Sequence, residues 1–163
     1  MITARLVTMA SLAWWFCLVA LVFPRMRSTL PPERIELRHA AEPADLAVTI
    51  LQSAPQFNSA SVGYAGMTPN EVIAWRVLVF RTDAESTLVM LLDTATPAGQ
   101  LYALAGLRFR SAALFAREAQ RFKNRTDQVQ TLSGCIGGSA RFDELVAQIG
   151  RGEWVRGFLR GSE

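Results

Sequence analysis

The sequence has few of the side chains that most often carry chemistry. It contains one histidine, one lysine and two cysteines in 163 residues. One of the cysteines, Cys17, lies inside the first apolar segment, so Cys135 is alone in the rest of the chain. A structural zinc site needs about four ligands and a disulfide needs two cysteines, so both are excluded from the globular part. No cofactor is predicted.

Strong charge of either sign is also missing. The formal net charge is +3, carried by sixteen arginines and Lys123 against fourteen acidic residues. Much of the excess lies close to the first apolar segment, which favours contact with anionic lipid headgroups and argues against nucleic acid as a partner. Half of the residues are hydrophobic, and this excludes a chain that is mainly disordered.

The first apolar segment runs from Leu6 to Phe23 without a charged residue. As a helix these residues would extend about 27 Å, enough for the hydrocarbon core of a bilayer. A signal peptide also needs small residues at a cleavage site, and the segment ends in Val22-Phe23-Pro24-Arg25 instead. We therefore expect residues 1–23 to be an uncleaved single-pass anchor in the lipid bilayer, with an exported protein and a cleaved signal peptide as the alternative.

Residues 24–42 form a basic, proline-containing linker that follows the anchor. Arg25 and Arg27 are its juxtamembrane basic residues, and Arg34 and Arg38 follow them. Positive charge near a span tends to remain in the cytoplasm, which favours a cytoplasmic C-terminal domain. The preference for arginine over lysine is typical of GC-rich bacterial genomes, so we expect the bacterial inner membrane. The side that holds the domain stays open.

Residues 43–163 are predicted to form a mainly α domain of five or six short helices, with at most a minor β element. Helix starts are indicated at Pro43, at Thr68-Pro69-Asn70-Glu71, where a hydroxyl and a glutamate can cap reciprocally, and at Thr96-Pro97. Helical spacing predicts a core from the following apolar residues: Val72, Trp75, Leu78, Leu88, Leu92, Leu101, Leu104, Phe115, Phe142, Leu145 and Ile149.

Strand patterns are short. Val129 to Ile136 is the best strand, and Ala74 to Phe80 is a strand that competes with a central, nearly all-apolar helix at the same place. Residues 53–67 are rich in small and polar side chains and predict a loop. Gly137-Gly138-Ser139 predicts a turn from the strand into the last helix.

Cys135 and the glycines around it are the one candidate for catalysis. A nucleophilic thiol needs a base, and the sole histidine, His39, lies in the linker. The alternative is a small structural cysteine followed by a flexible turn. An enzyme centred on Cys135 is therefore kept only as an alternative, and no catalytic residue is assigned.

The last residues combine an apolar stripe with arginines. Such a segment can lie on a membrane or bind a partner, and the alternative is that it closes over the core of the domain. The candidate surface comprises Arg151, Trp154, Val155, Arg156, Phe158, Leu159 and Arg160. The anchor, the linker and this stripe together predict a membrane-anchored protein-interaction or scaffolding domain, as an accessory subunit of a larger membrane complex.

Overall fold

The computed structural model describes residues 43–160, which form a mixed α/β domain. The prediction of a mainly helical fold is wrong, because these residues hold a three-stranded sheet beside seven α-helices. No helix within them is long and apolar enough to cross a membrane. The predicted anchor (1–23) and linker (24–42) lie outside the described residues, and both stay predictions.

Five helices and a short 3₁₀ turn form the larger part of the domain. α4 is central, with nine buried residues, and its glycines allow close approach: a Cβ at Gly99 would overlap the carbonyl oxygen of Leu51. The bounds are α1 Pro43–Gln52, α2 Asn70–Val79, α3 Ala84–Thr94, α4 Pro97–Arg110, α5 Ala112–Ala119 and the 3₁₀ turn Gln120–Phe122.

The sheet has the order β1-β2-β3. β1 (Phe57–Val62) is parallel to β2 (Gln128–Gly134), with Phe57 opposite Thr131. β3 (Ile136–Arg141) is antiparallel to β2, with Ser133 opposite Ile136 across a two-residue turn. The sheet is followed by α6 (Phe142–Gly150) and α7 (Glu153–Leu159), which pack against α4 and against each other.

Two of the three strands contradict the sequence-based expectation. Residues 53–67 were expected to be loop but contain β1, and Gly137-Gly138-Ser139 lies within β3 and does not form the turn before α6. Both strands are poor in β-branched residues, and each is held by its pairing with β2. The strand expected at Val129 is confirmed by β2, and the competing strand at Ala74 is wrong because α2 covers those residues.

Helix starts were predicted with mixed success. The Thr96 side chain accepts a hydrogen bond from the Gly99 N–H at 3.2 Å, as a capping residue should. At α2 the capping residue is Pro69, no side chain caps the helix, and the predicted capping box of Thr68 and Glu71 is wrong. Glu71 accepts instead from the Asn58 amide of β1.

The hydrophobic core was predicted correctly. All eleven predicted core residues are buried, and Val72, Trp75, Leu78, Leu88, Leu101, Leu104, Phe142 and Ile149 have no solvent-exposed surface. They pack in one cluster that includes residues of α1 to α7 and the inner side of β1 and β2. The helical periodicity therefore identified residues of the core correctly, even though the fold class was wrong.

Candidate functional site

The apolar residues of the predicted C-terminal surface lie mainly in the core. Phe158 is fully buried, and its ring centroid is 5.1 Å from that of Trp75 and 5.6 Å from that of Tyr102. Val155 is 8% exposed. Trp154 is half-buried, packs on Phe57 and donates its Nε1–H to Gln148 at 2.8 Å. Through these three side chains, α7 packs against the core of the domain.

The remaining residues of that surface are exposed. Arg151 pairs with Glu153 at 2.6 Å, Leu159 is 43% exposed, and Arg156 and Arg160 face solvent. Contact of these four with a partner or membrane stays a prediction. The juxtamembrane residues Arg25 and Arg27 lie outside the described residues.

Arg76 connects α7 to α2. Its guanidinium donates to the carbonyl oxygens of Phe158 at 2.7 Å and Arg160 at 2.9 Å, so a positive charge lies at the C-terminal end of α7. A cation at that end of a helix is favourable because the last carbonyls carry partial negative charge. This arginine was not singled out in the sequence, although its position in an otherwise apolar segment was visible.

Cys135 lies at the tip of the β2–β3 hairpin. Gly134 before it has a φ of +55°, which suits the first position of a tight hairpin turn, and the thiol is exposed. Residues 43–160 contain no histidine that could act as its base. No group of three or more His, Cys, Asp or Glu residues within the same range could hold a metal.

An apolar surface was missed by the sequence analysis. Ile73, Val77 and Phe80 follow one another at helical spacing along α2 and its C-terminal cap, and they are 48%, 38% and 66% exposed. Beside them on α1, Leu46 is 54% exposed and Ile50 is half-buried. We call these five residues the α1–α2 face.

A groove of about 370 Å³ runs along the α1–α2 face, and no charged residue lines it. Its floor is formed by Ala47 and Ala74, which let the two helices pack closely. The lining residues are Pro43, Leu46, Ala47, Ile50, Asn70, Ile73, Ala74 and Val77. The signal in the sequence was the nearly all-apolar character of α2, which predicts burial on every side. The structure buries only one side.

No family model, no curated protein and no solved structure matches this chain. The geometry of the described residues therefore carries the functional argument.

Polar residues flank the α1–α2 face on one side. A neighbouring groove of about 380 Å³ is lined by Asp45, Thr49 and the ion pair of Arg81 with Asp83, whose atoms approach to 2.7 Å. The Arg81 guanidinium holds the pKa of the Asp83 carboxyl below its usual value, chiefly through the hydrogen bond between them. Ala44, Val48, Leu78 and Met90 also line this groove, so polar and apolar side chains are mixed there.

A smaller cleft lies near the carboxyl ends of the parallel strands β1 and β2. It measures about 240 Å³, and Ser59, Ser133, Gln148, Glu153 and Trp154 contribute to its lining. Ligand pockets usually measure at least about 300 Å³ and bury most of their ligand. Three of its polar side chains already have hydrogen-bond partners, since Trp154 donates to Gln148 and Glu153 accepts from Arg151. The cleft is therefore the weaker candidate.

Proposed function

We propose that this protein is a membrane-tethered interaction domain whose α1–α2 face binds another protein. The observation that carries the proposal is the exposure of Leu46, Ile73 and Val77 around a groove without charge, with the exposed Phe80 following Val77 along the chain. An accessory role in a larger membrane complex agrees with such a surface, because residues 43–160 bring no convergent set of catalytic side chains together.

The tether rests on the sequence. Eighteen uncharged residues, Leu6 to Phe23, match the thickness of a bilayer, and arginines follow them at the expected interface. Nineteen residues then separate Phe23 from Pro43, the first residue of α1. A protein held in this way meets its partners at or near the membrane surface.

The form of the α1–α2 face indicates what it binds. Ile73, Val77 and Phe80 lie at positions i, i+4 and i+7 of one helix, and Leu46 and Ile50 lie at i and i+4 of the other. Two such stripes with a small-residue floor between them accept a further apolar helical surface. An isolated exposed leucine needs no explanation, but a continuous uncharged group of this kind is typical of an interaction site.

An enzyme centred on Cys135 gains no support from the surroundings of the thiol. The side chain is exposed at a hairpin tip, and no described residue supplies an imidazole to deprotonate it. The enzyme hypothesis would gain support if Cys135 reacted with a thiol reagent at neutral pH much faster than a cysteine in a model peptide does.

Intact-mass analysis of the protein purified from membranes tests the tether. We expect the full mass, with residues 1–23 retained, and resistance to extraction by alkaline carbonate. A mature chain that begins between Arg25 and Ala44, found in the soluble fraction, would identify a cleaved signal peptide and overturn the tether.

Photo-crosslinking in living cells tests the interaction surface. A photoreactive amino acid replaces Ile73 in the full chain, and the control replaces Ile136, an equally apolar and more exposed residue on the β2–β3 hairpin. We expect adducts of one or a few defined masses from position 73 and none of these from position 136, with partners identified by mass spectrometry. Equal, diffuse labelling from both positions would contradict a specific surface.

A further inference from the structure

The arginines of the domain fall into two groups according to their partners. Six of the eleven arginines in residues 43–160 form an ion pair with a carboxylate: Arg81, Arg117, Arg121, Arg125, Arg141 and Arg151. The other five have no carboxylate partner among the described residues: Arg76, Arg108, Arg110, Arg156 and Arg160. These five lie in the last turn or at the C-terminal cap of α2, α4 and α7. The uncompensated positive charge is therefore concentrated at the ends of three helices.

Two of these five arginines, Arg108 and Arg156, line the same groove. The groove measures about 320 Å³ and lies where the end of α4 meets α7 and the junction between α6 and α7. Arg151 also contributes to the lining, but its ion pair with Glu153, at 2.6 Å, neutralises its charge. Among the described residues no carboxylate lines the groove. The charges of Arg108 and Arg156 are therefore not compensated there.

Arg156 has no structural role that would explain its position. The carbonyl oxygens at the end of α7 already accept hydrogen bonds from Arg76. Glu153, one turn before Arg156, pairs with Arg151 instead. Arg160, one turn after it, carries the same charge, and like charges four positions apart on a helix are destabilising. The Arg156 guanidinium has no hydrogen-bond or ion-pair partner among residues 43–160, so it is free to bind a ligand.

Arg108 is fixed by a hydrogen bond on one edge only. Its side chain is half-buried, and its Nε–H donates to the carbonyl oxygen of Gly150 at 3.1 Å. The two terminal NH₂ groups of the guanidinium have no partner within the described part of the chain. A guanidinium held in this way loses little freedom on binding, and its planar fork matches two oxygens of a phosphate group.

The same groove has an apolar wall. Phe109 is half-buried, with its ring centroid 5.9 Å from that of Trp75, and Val155 is buried. Both side chains line the groove beside the arginines. Ligand sites usually measure at least about 300 Å³ and combine a few charged groups with apolar walls. A bare anion would leave the apolar wall without a contact, whereas an anion attached to an organic group would use both.

We propose that this groove binds the phosphate group of a phosphate monoester, with the organic part of the ligand against Phe109 and Val155. A phosphate monoester carries a charge of about −1.5 to −2 at neutral pH, which matches the two uncompensated guanidinium groups of Arg108 and Arg156. A carboxylate or a sulfonate carries a single charge and matches them less well. The site shares no lining residue with the groove of the α1–α2 face and does not depend on the tether.

Calorimetric titration of the full chain tests this site. The protein is purified in a non-ionic detergent and titrated with phenyl phosphate at neutral pH and low salt. We expect saturable binding of one ligand per chain, about tenfold or more tighter than the binding of benzenesulfonate, which has the same ring and a single charge. Equal affinity for the two ligands, or no binding of phenyl phosphate, would overturn the proposal.

Arg156→Gln is the decisive variant, because this side chain has no partner in the fold. It should weaken the binding of phenyl phosphate about tenfold or more and leave the thermal unfolding temperature unchanged. The matched control is Arg110→Gln, which removes the same charge from the end of α4 without altering the lining of the groove. If both variants weaken binding equally, or if Arg156→Gln has no effect, the groove is not the site.

A second ligand distinguishes the two sources of such a phosphate group. Dihexanoyl phosphatidic acid, used below its micellar concentration, carries the phosphate monoester on a lipid, whereas phenyl phosphate represents a soluble ester. Tighter binding of the lipid, lost in Arg156→Gln, would identify a headgroup site, and tighter binding of phenyl phosphate would identify a site for soluble esters; either result supports the proposal. Failure of both ligands to bind overturns it and leaves the α1–α2 face unaffected, since the crosslinking from position 73 does not involve these arginines.

Discussion

The main-chain N–H of Asn58 donates a hydrogen bond of 2.8 Å to the phenolic oxygen of Tyr102, 44 positions along the chain. Both residues are buried, and the Asn58 amide also donates to Glu71 at 3.3 Å. This group ties β1 to the central helix α4 and to the first turn of α2. The side-chain oxygen of Asn58 and the indole N–H of Trp75 have no hydrogen-bond partner among the described residues.

Replacing Tyr102 by phenylalanine should destabilise the domain. The variant leaves the buried Asn58 N–H without an acceptor, and we expect the free energy of unfolding to fall by about 1–3 kcal/mol. Urea denaturation followed by tryptophan fluorescence measures the change. The control is Tyr64→Phe, because Tyr64 is fully exposed; a similar loss in both variants would contradict this role of the hydrogen bond.

Tyr102 should also make the stability fall at high pH. Burial raises the pKa of its phenol above the usual value near 10. The unfolded chain then releases the proton at a lower pH than the folded protein, so stability is complete below about pH 10 and decreases as the pH rises above it. In the Tyr102→Phe variant, this part of the decrease in stability at alkaline pH should be absent. A pH profile of stability identical to that of the unaltered protein would contradict the role of Tyr102.

Gly99→Ala should be among the most damaging small substitutions. The added methyl group would overlap the Leu51 carbonyl oxygen, a backbone atom of α1 that cannot rotate away. We expect a loss of about 1–3 kcal/mol, as for other overpacked cores. Gly137→Ala, which has open space around it in β3, should be neutral or stabilising by up to about 1 kcal/mol. Thermal unfolding of both variants measures the difference.

Phe158 and its neighbour Leu159 should respond differently to truncation. Phe158→Ala opens a cavity beside Trp75, Tyr102 and Phe57, for which we expect a loss of about 3–5 kcal/mol. Leu159→Ala removes a side chain that is 43% exposed and should change stability by less than about 1 kcal/mol. Equal effects in chemical denaturation would show that the placement of α7 is wrong.

Arg76→Gln should loosen α7 without unfolding the domain. The variant loses the charged hydrogen bonds to the carbonyl oxygens at the end of that helix. We expect faster hydrogen exchange in residues 153–160 and little change in the peptides of α4. Arg156→Gln on the same helix is the control, because it removes an exposed arginine that caps nothing. Uniformly faster exchange over the whole domain would contradict a local effect.

Periodicity predicted the helices and the core because the helices around α4 bury mainly one side, while α4 at the centre is buried on nearly every side. The same reasoning failed for β1 and β3, whose residues favour loops locally and become strands only through hydrogen bonds to the distant β2. It failed again at α2, where an apolar residue on every side predicted burial on every side. Sequence spacing cannot show which apolar side the rest of the chain leaves uncovered.

The pattern of the C-terminal residues is compatible with two different interpretations. Trp154, Val155 and Phe158 have the spacing of an amphipathic surface helix and also that of a helix closing a core. The choice depends on Phe57 and Tyr102, which are far away in sequence and provide the aromatic contacts. Only the tertiary structure places those rings together.

The parallel pairing of β1 with β2 sets an order of events during synthesis of the chain. β1 emerges from the ribosome before α2 to α5, and its hydrogen-bonding partners at Thr131 and Leu132 emerge after them. Until then Phe57 has neither its strand partner nor the cover of Phe158. Closing so long a loop is slow compared with forming the helices, so the nascent protein exposes this strand for longer than any helix. Within residues 43–160, a chaperone that binds extended apolar segments would therefore find Phe57 and its strand accessible until β2 has been synthesised.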